Sequence, residues 1–115
     1  SWTLKRVQGD GFATSSALSG EAEARRAGRW GRALARYRAA EAALASVEGT
    51  GDDARYDRVL VRFNHALRAL LRTPAPGADA LAAKLELAQA HLAWEMTGGE
   101  ACMAALARDA RRLAG

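Results

Sequence analysis

A chain of 115 residues is the size of one domain and buries enough surface to fold without staples. Half of it is hydrophobic, much of that alanine, and β-branched residues are sparse, which argues against a sheet. The formal net charge is +4, and the single cysteine, Cys102, excludes an internal disulfide and fits a reducing, cytoplasmic compartment.

No run of about 18 apolar residues exists to span a membrane, and no signal peptide is expected. The start at Ser1 rather than methionine is expected of a chain trimmed at its N-terminus. Charge is unevenly distributed: Arg25, Arg26, Arg29, Arg32, Arg36 and Arg38 fall in a stretch without acids, whereas Asp79, Glu86, Glu95 and Glu100 are accompanied by one cation, Lys84.

Residues 1–20 read as an N-terminal arm or flexible segment, with Gly9, Asp10, Gly11 and Thr14 to Ser16 of loop composition. Residues 21–115 read as a helical bundle domain. Helix 1 is predicted over 21–48, capped by Ser19, with Trp30, Leu34, Tyr37, Leu44 and Val47 on its apolar stripe. Helix 2 is predicted over 52–72. Thr50 to Asp53 resembles a capping box, and Tyr56, Leu60, Phe63, Leu67 and Leu70 step by four and three along one face. Pro74 and Pro76 end it.

Helix 3 is predicted over 78–97. Leu81, Leu85, Ala88, Leu92 and Met96 make one stripe, and Leu87 and Trp94 belong to a second. Thr97 to Glu100 resembles a further capping box, opening helix 4 over 100–113 with Met103, Leu106, Ala110 and Leu113 inward. The expected fold is all-α: an antiparallel bundle of three long helices with a short fourth C-terminal helix. Trp30, Leu34, Tyr37, Leu60, Phe63, Leu67, Leu81, Leu85 and Leu92 should form its core.

Chemistry-bearing residues are few. His91 and Glu95 lie one helical turn apart, as metal ligands do, but further ligands are wanting and His65 sits off the apolar seam. Cys102 lacks an orienting partner or an oxyanion loop and reads as a buried thiol. The carboxylates do not converge, and no glycine-rich strand-to-helix loop exists for phosphate. No catalytic residue, metal or other cofactor, or small-molecule substrate is therefore expected. The start of helix 4, from Glu100 to Met103, is acidic and apolar, unlike a base-reading helix.

Two binding surfaces remain. Leu87, Trp94 and Met103 could meet a second copy of the chain or another protein. Arg25, Arg29, Arg32 and Arg36 form one stripe, placed by periodicity roughly opposite Trp30 and Leu34, and could contact nucleic-acid phosphates. The primary expectation is a protein-interaction or structural module; the alternative is an arginine-rich nucleic-acid-binding accessory or regulatory protein.

The segments Tyr37–Ala43, Thr73–Leu87 and Trp94–Leu113 together resemble uncharacterised small helical proteins of alphaproteobacteria, some in phage or mobile-element context. The resemblance covers roughly residues 30–114 and leaves out the first twenty. It implies a bacterial cytoplasmic origin and carries over no site residues.

Overall fold

The computed structural model describes the backbone of residues 2–115 and the side chains of residues 20–115. Among the described residues there are four α-helices: α1, Trp2–Val47; α2, Asp53–Arg72; α3, Ala78–Ala90; and α4, Gly99–Ala114. A single 3₁₀ turn, Ala93–Glu95, lies between α3 and α4. Among the described residues there is no strand, and no helix is long and apolar enough to cross a membrane.

The proportions differ from three long helices and a short fourth. α3 has 13 residues and α4 has 16, whereas α1 has 46. The backbone of α1 runs through Ser19, the expected cap. No proline precedes Pro74, so no backbone donor is missing from the helical ladder up to that point. The expected arm, residues 1–20, falls on side chains that, up to residue 19, lie outside the described residues.

α1 and α2 form an antiparallel hairpin. Tyr37 and Phe63, equally far along the chain from Thr50, meet with ring centroids 5.5 Å apart. The contact face of α1 runs through Trp30, Ala33, Tyr37, Ala40, Leu44 and Val47, all buried or half-buried. This spacing of three and four matches the seam of α2 and lets the two helices interlock along their length. Ala33 is buried within this seam, while Trp30 and Leu34 are only partly covered.

The turn between the helices is capped differently from the capping box that the sequence suggests. The Thr50 hydroxyl donates to the Val47 carbonyl at 2.8 Å, closing off α1. Asp52 caps α2, its carboxylate accepting from the Arg55 N–H at 3.1 Å. Such a cap satisfies one of the orphan donors of a helix start and contributes roughly 1 kcal/mol.

α2 ends at Arg72, where Pro74 and Pro76 force the chain out of the helix. Beyond them, α3, the 3₁₀ turn and α4 fold onto the far part of α2. Leu67, Leu70 and Leu71 are fully buried there, alongside Ala93, Cys102 and Leu106. An open cleft of about 610 Å³ separates α1 from α3, with Trp30, Leu34 and Arg38 on one wall and Pro76, Asp79 and Ala83 on the other. That opening explains why Trp30 and Leu34 are only half-buried.

The chain leaves helical geometry at His91, earlier than the pattern over 78–97 predicts, and Leu92 takes a left-handed conformation with φ of 50°. The expected core residues Leu85 and Leu92 are 50% and 46% exposed. The buried face of α3 is instead Lys84 and Ala88, with Leu81 and Leu87 packed against the core. Successive helical residues are about 100° apart, so turning Lys84 inward sends its neighbour Leu85 outward.

α4 is likewise rotated from expectation. Cys102, Ala105, Leu106 and Asp109 are its buried residues, and Met103 is 38% exposed. Its first turn carries no side-chain cap, because Gly98, not Thr97, is the cap residue, with φ of 79°. Gly99 follows and is buried. A Cβ at Gly99 would lie 2.5 Å from the Ala93 carbonyl oxygen. The tight approach of α4 to the 3₁₀ turn therefore depends on the missing side chain.

Candidate functional site

Two charged side chains, Lys84 of α3 and Asp109 of α4, meet in the interior against the backbone of the Thr73–Gly77 connection, with the partly exposed Arg112 of α4 at the edge. Lys84 and Asp109 form an ion pair with side-chain exposures of 0% and 5%. The Lys84 ammonium also donates to the Thr73 carbonyl at 2.8 Å. Asp109 accepts in addition from the Ala75 N–H at 3.3 Å and from the Arg112 guanidinium at 2.9 Å. Arg112 further donates to the Ala75 carbonyl at 2.7 Å.

This network ties the proline-rich connection to both helices beyond it. Burial pulls the Lys84 ammonium below its ordinary range, and the Asp109 carboxylate opposes that shift. Sequence reading missed the network, although a signal for it exists. Lys84 lies three residues after Leu81 and four before Ala88, inside the apolar stripe, and Asp109 lies three after Leu106. A charge in a buried stripe needs a partner, and these two are placed to supply each other.

Cys102 is fully buried, and burial raises its thiol above the ordinary value. A thiol held protonated is a poor nucleophile. Tyr37 is also buried. Its hydroxyl lies 3.4 Å from a Glu41 carboxylate oxygen and 3.5 Å from Nε2 of His91. Burial first, and the Glu41 charge second, push its phenol upward. The His91 ring packs edge-on to Phe63 at 5.4 Å. His91 and Glu95 are not neighbours on one helix face, because α3 has ended at Ala90. Among the described residues, no three of His, Cys, Asp and Glu gather as a metal-binding set.

Two outward surfaces follow from this interior. The first is apolar and lies on α3, the 3₁₀ turn and α4. Trp94 is 51% exposed there, and Leu85, Leu92 and Met103 are exposed on or beside the same elements. Of the three residues expected at an interface, Trp94 and Met103 are on the surface, and Leu87 packs against the core instead.

The second surface is basic. Arg25, Arg29, Arg32 and Arg36 are all exposed. The last three line a cleft of about 350 Å³ between α1 and α2, faced by His65, Ala66, Ala69 and Thr73. Periodicity places the stripe away from the contact face, opposite Trp30 and Leu34. Instead, α2 sits against Ala33 and Tyr37, so Arg29, Arg32 and Arg36 border the groove. Small side chains, Ala33, Ala66 and Ala69, form its floor. No carboxylate lines the cleft, and neither salt bridge among the described residues uses these arginines.

No family model, curated protein or solved structure matches the chain.

Proposed function

We propose that this chain is a non-catalytic helical module that binds another polypeptide through its α3–α4 end, a second copy of itself being the first partner to test. The observation that carries this reading is Trp94, half open to water on the 3₁₀ turn between α3 and α4. Leu85 on α3, Leu92 just before the turn and Met103 on α4 are exposed as well. Tryptophan is the side chain most often found as an interface anchor, since it buries a large area at low entropic cost. A symmetric pair covers such a patch with itself.

The interior polar groups support a structural use of the charged residues. Lys84, Asp109 and Arg112 satisfy one another and the connection between α2 and α3, so their charges are spent on holding the fold together. The test is molar mass by light scattering at high micromolar concentration, for the wild type and for Trp94→Ala. A wild type at twice the 12.2 kDa chain mass, reduced to one chain by Trp94→Ala, supports the proposal. A wild type that stays monomeric removes the homodimer. A dimer untouched by Trp94→Ala moves the contact to another surface.

A further inference from the structure

We infer that the cleft between α1 and α2 is a site for the phosphate backbone of nucleic acid, read without regard to base sequence. The chemistry is carried by three arginines on one rim, Arg29, Arg32 and Arg36, with His65 on the other and no carboxylate between them. A guanidinium is always charged and presents a fork of donors that matches phosphate oxygens. Ion pairing within the protein would weaken such a site, and these arginines take part in neither salt bridge among the described residues.

The spacing fits a repeating anion. Arg29 to Arg36 spans about 10 Å of helix at 1.5 Å per residue, a length over which one strand of duplex DNA presents about three phosphates. The small alanines of the cleft let a phosphate backbone approach the rim, and no Phe, Tyr or Trp lines it as a stacking platform. Asparagine, glutamine and carboxylate side chains, which read adenine and cytosine edges, are absent from the lining, and the arginines are assigned to phosphate.

A second arginine cluster, at Arg72, Arg108, Arg111 and Arg112, makes the contrast. There Asp109 lies among the cations and already holds Arg112. The α1–α2 cleft has no such internal counter-charge, which makes it the stronger attractor for an external one.

The experiment is fluorescence anisotropy with a short labelled DNA duplex of mixed sequence, titrated with the full chain between about 20 and 200 mM salt. Neutralising about three phosphates predicts a log–log salt slope between about −2 and −3. Arg32→Gln/Arg36→Gln should weaken binding by about tenfold or more and bring the slope toward about −1. Arg108→Gln/Arg111→Gln, equal in charge lost, should change affinity far less. Circular dichroism of both variants checks that the helices persist. No binding at low salt overturns nucleic-acid binding altogether. Binding that both variants lose equally overturns the assignment to this cleft, since net charge then governs. Equal competition by polyglutamate shows a site for carboxylates and overturns the phosphate assignment.

Discussion

Lys84 and Asp109, 25 residues apart in sequence, meet across α3 and α4 with almost no contact with water. Their surroundings are unequal. Asp109 has two other donors, the Ala75 N–H and Arg112, whereas Lys84 has one other acceptor, the Thr73 carbonyl. Removing the carboxylate therefore strands the ammonium more completely than the reverse. Asp109→Asn should cost about 3–5 kcal/mol in urea unfolding, the range for breaking a buried pair. Lys84→Met should cost less, because the carboxylate keeps Arg112 and an N–H. Lys84→Met/Asp109→Leu should be less destabilised than the sum of the separate Lys84→Met and Asp109→Leu variants. An additive double variant would show that the two groups act independently.

Alkaline stability should carry the signature of Cys102. Its folded thiol is held above its ordinary value by burial. Above about pH 8.5 the unfolded thiol releases its proton while the folded one keeps it. The folded state then binds more protons, so stability falls as pH rises, by up to ~1.4 kcal/mol per pH unit. Lys84 acts in the opposite sense nearer its own range, because its folded ammonium releases a proton before the unfolded one does. Comparing urea midpoints of the wild type and Cys102→Ala from pH 7.5 to about 9.5 isolates the thiol. The wild type should lose stability across that window more steeply than the variant.

Two glycines should respond to alanine in opposite directions. At Gly31, inside α1, an added Cβ meets nothing within 4 Å. Gly31→Ala should raise stability by about 0.5–1 kcal/mol through helix propensity and a less flexible unfolded chain. At Gly99 the same change drives a methyl group into backbone, 2.5 Å from the Ala93 carbonyl oxygen and 3.0 Å from that of Trp94. Gly99→Ala should lower stability by about 1–3 kcal/mol, the usual cost of overpacking. Thermal unfolding followed by circular dichroism measures both.

Leu92 offers a test of stored backbone strain. Its φ of 50° places a branched side chain in a region that costs a non-glycine residue roughly 1–2 kcal/mol. Asparagine tolerates that conformation better, and at 46% exposure only part of the leucine's burial is given up. Leu92→Asn should match or exceed the wild type in thermal midpoint. A clear drop would mean that the apolar contacts of Leu92 outweigh its strain.

α2 was readable from sequence because its seam residues are large and apolar, and the charged residues between them, Asp57, Arg58, Arg62 and Arg68, all fall off that seam. Its end was readable because Pro74 cannot continue a helix. α3 was harder. Its buried face includes a lysine, and its end at Ala90 is marked by neither glycine nor proline. Alanines on both sides of α3 gave the wrong leucines equal standing with the right ones. The same ambiguity hid the basic cleft. The arginine stripe itself follows from spacing, but its position at the groove depends on Ala33 and Ala40 facing α2. Next to Trp30 and Leu34, alanines carry little hydrophobic signal. His65, on the other helix, could join the stripe only once that face was known.

The order in which helices pair along the chain has a kinetic consequence. α1 packs on α2 across a turn of a few residues, and α4 packs on α3 and the 3₁₀ turn just before it. Both pairings join neighbours in sequence, so each closes a small loop at little entropic cost. The contacts that unite the two pairs fall chiefly between α2 and α4, around Leu67, Leu70, Cys102 and Leu106. A chain with this topology belongs among the rapid folders, on the microsecond to millisecond scale of local helical architectures. Substitutions at the α2–α4 seam should then act mainly on the late docking of one hairpin onto the other, speeding unfolding more than they slow folding.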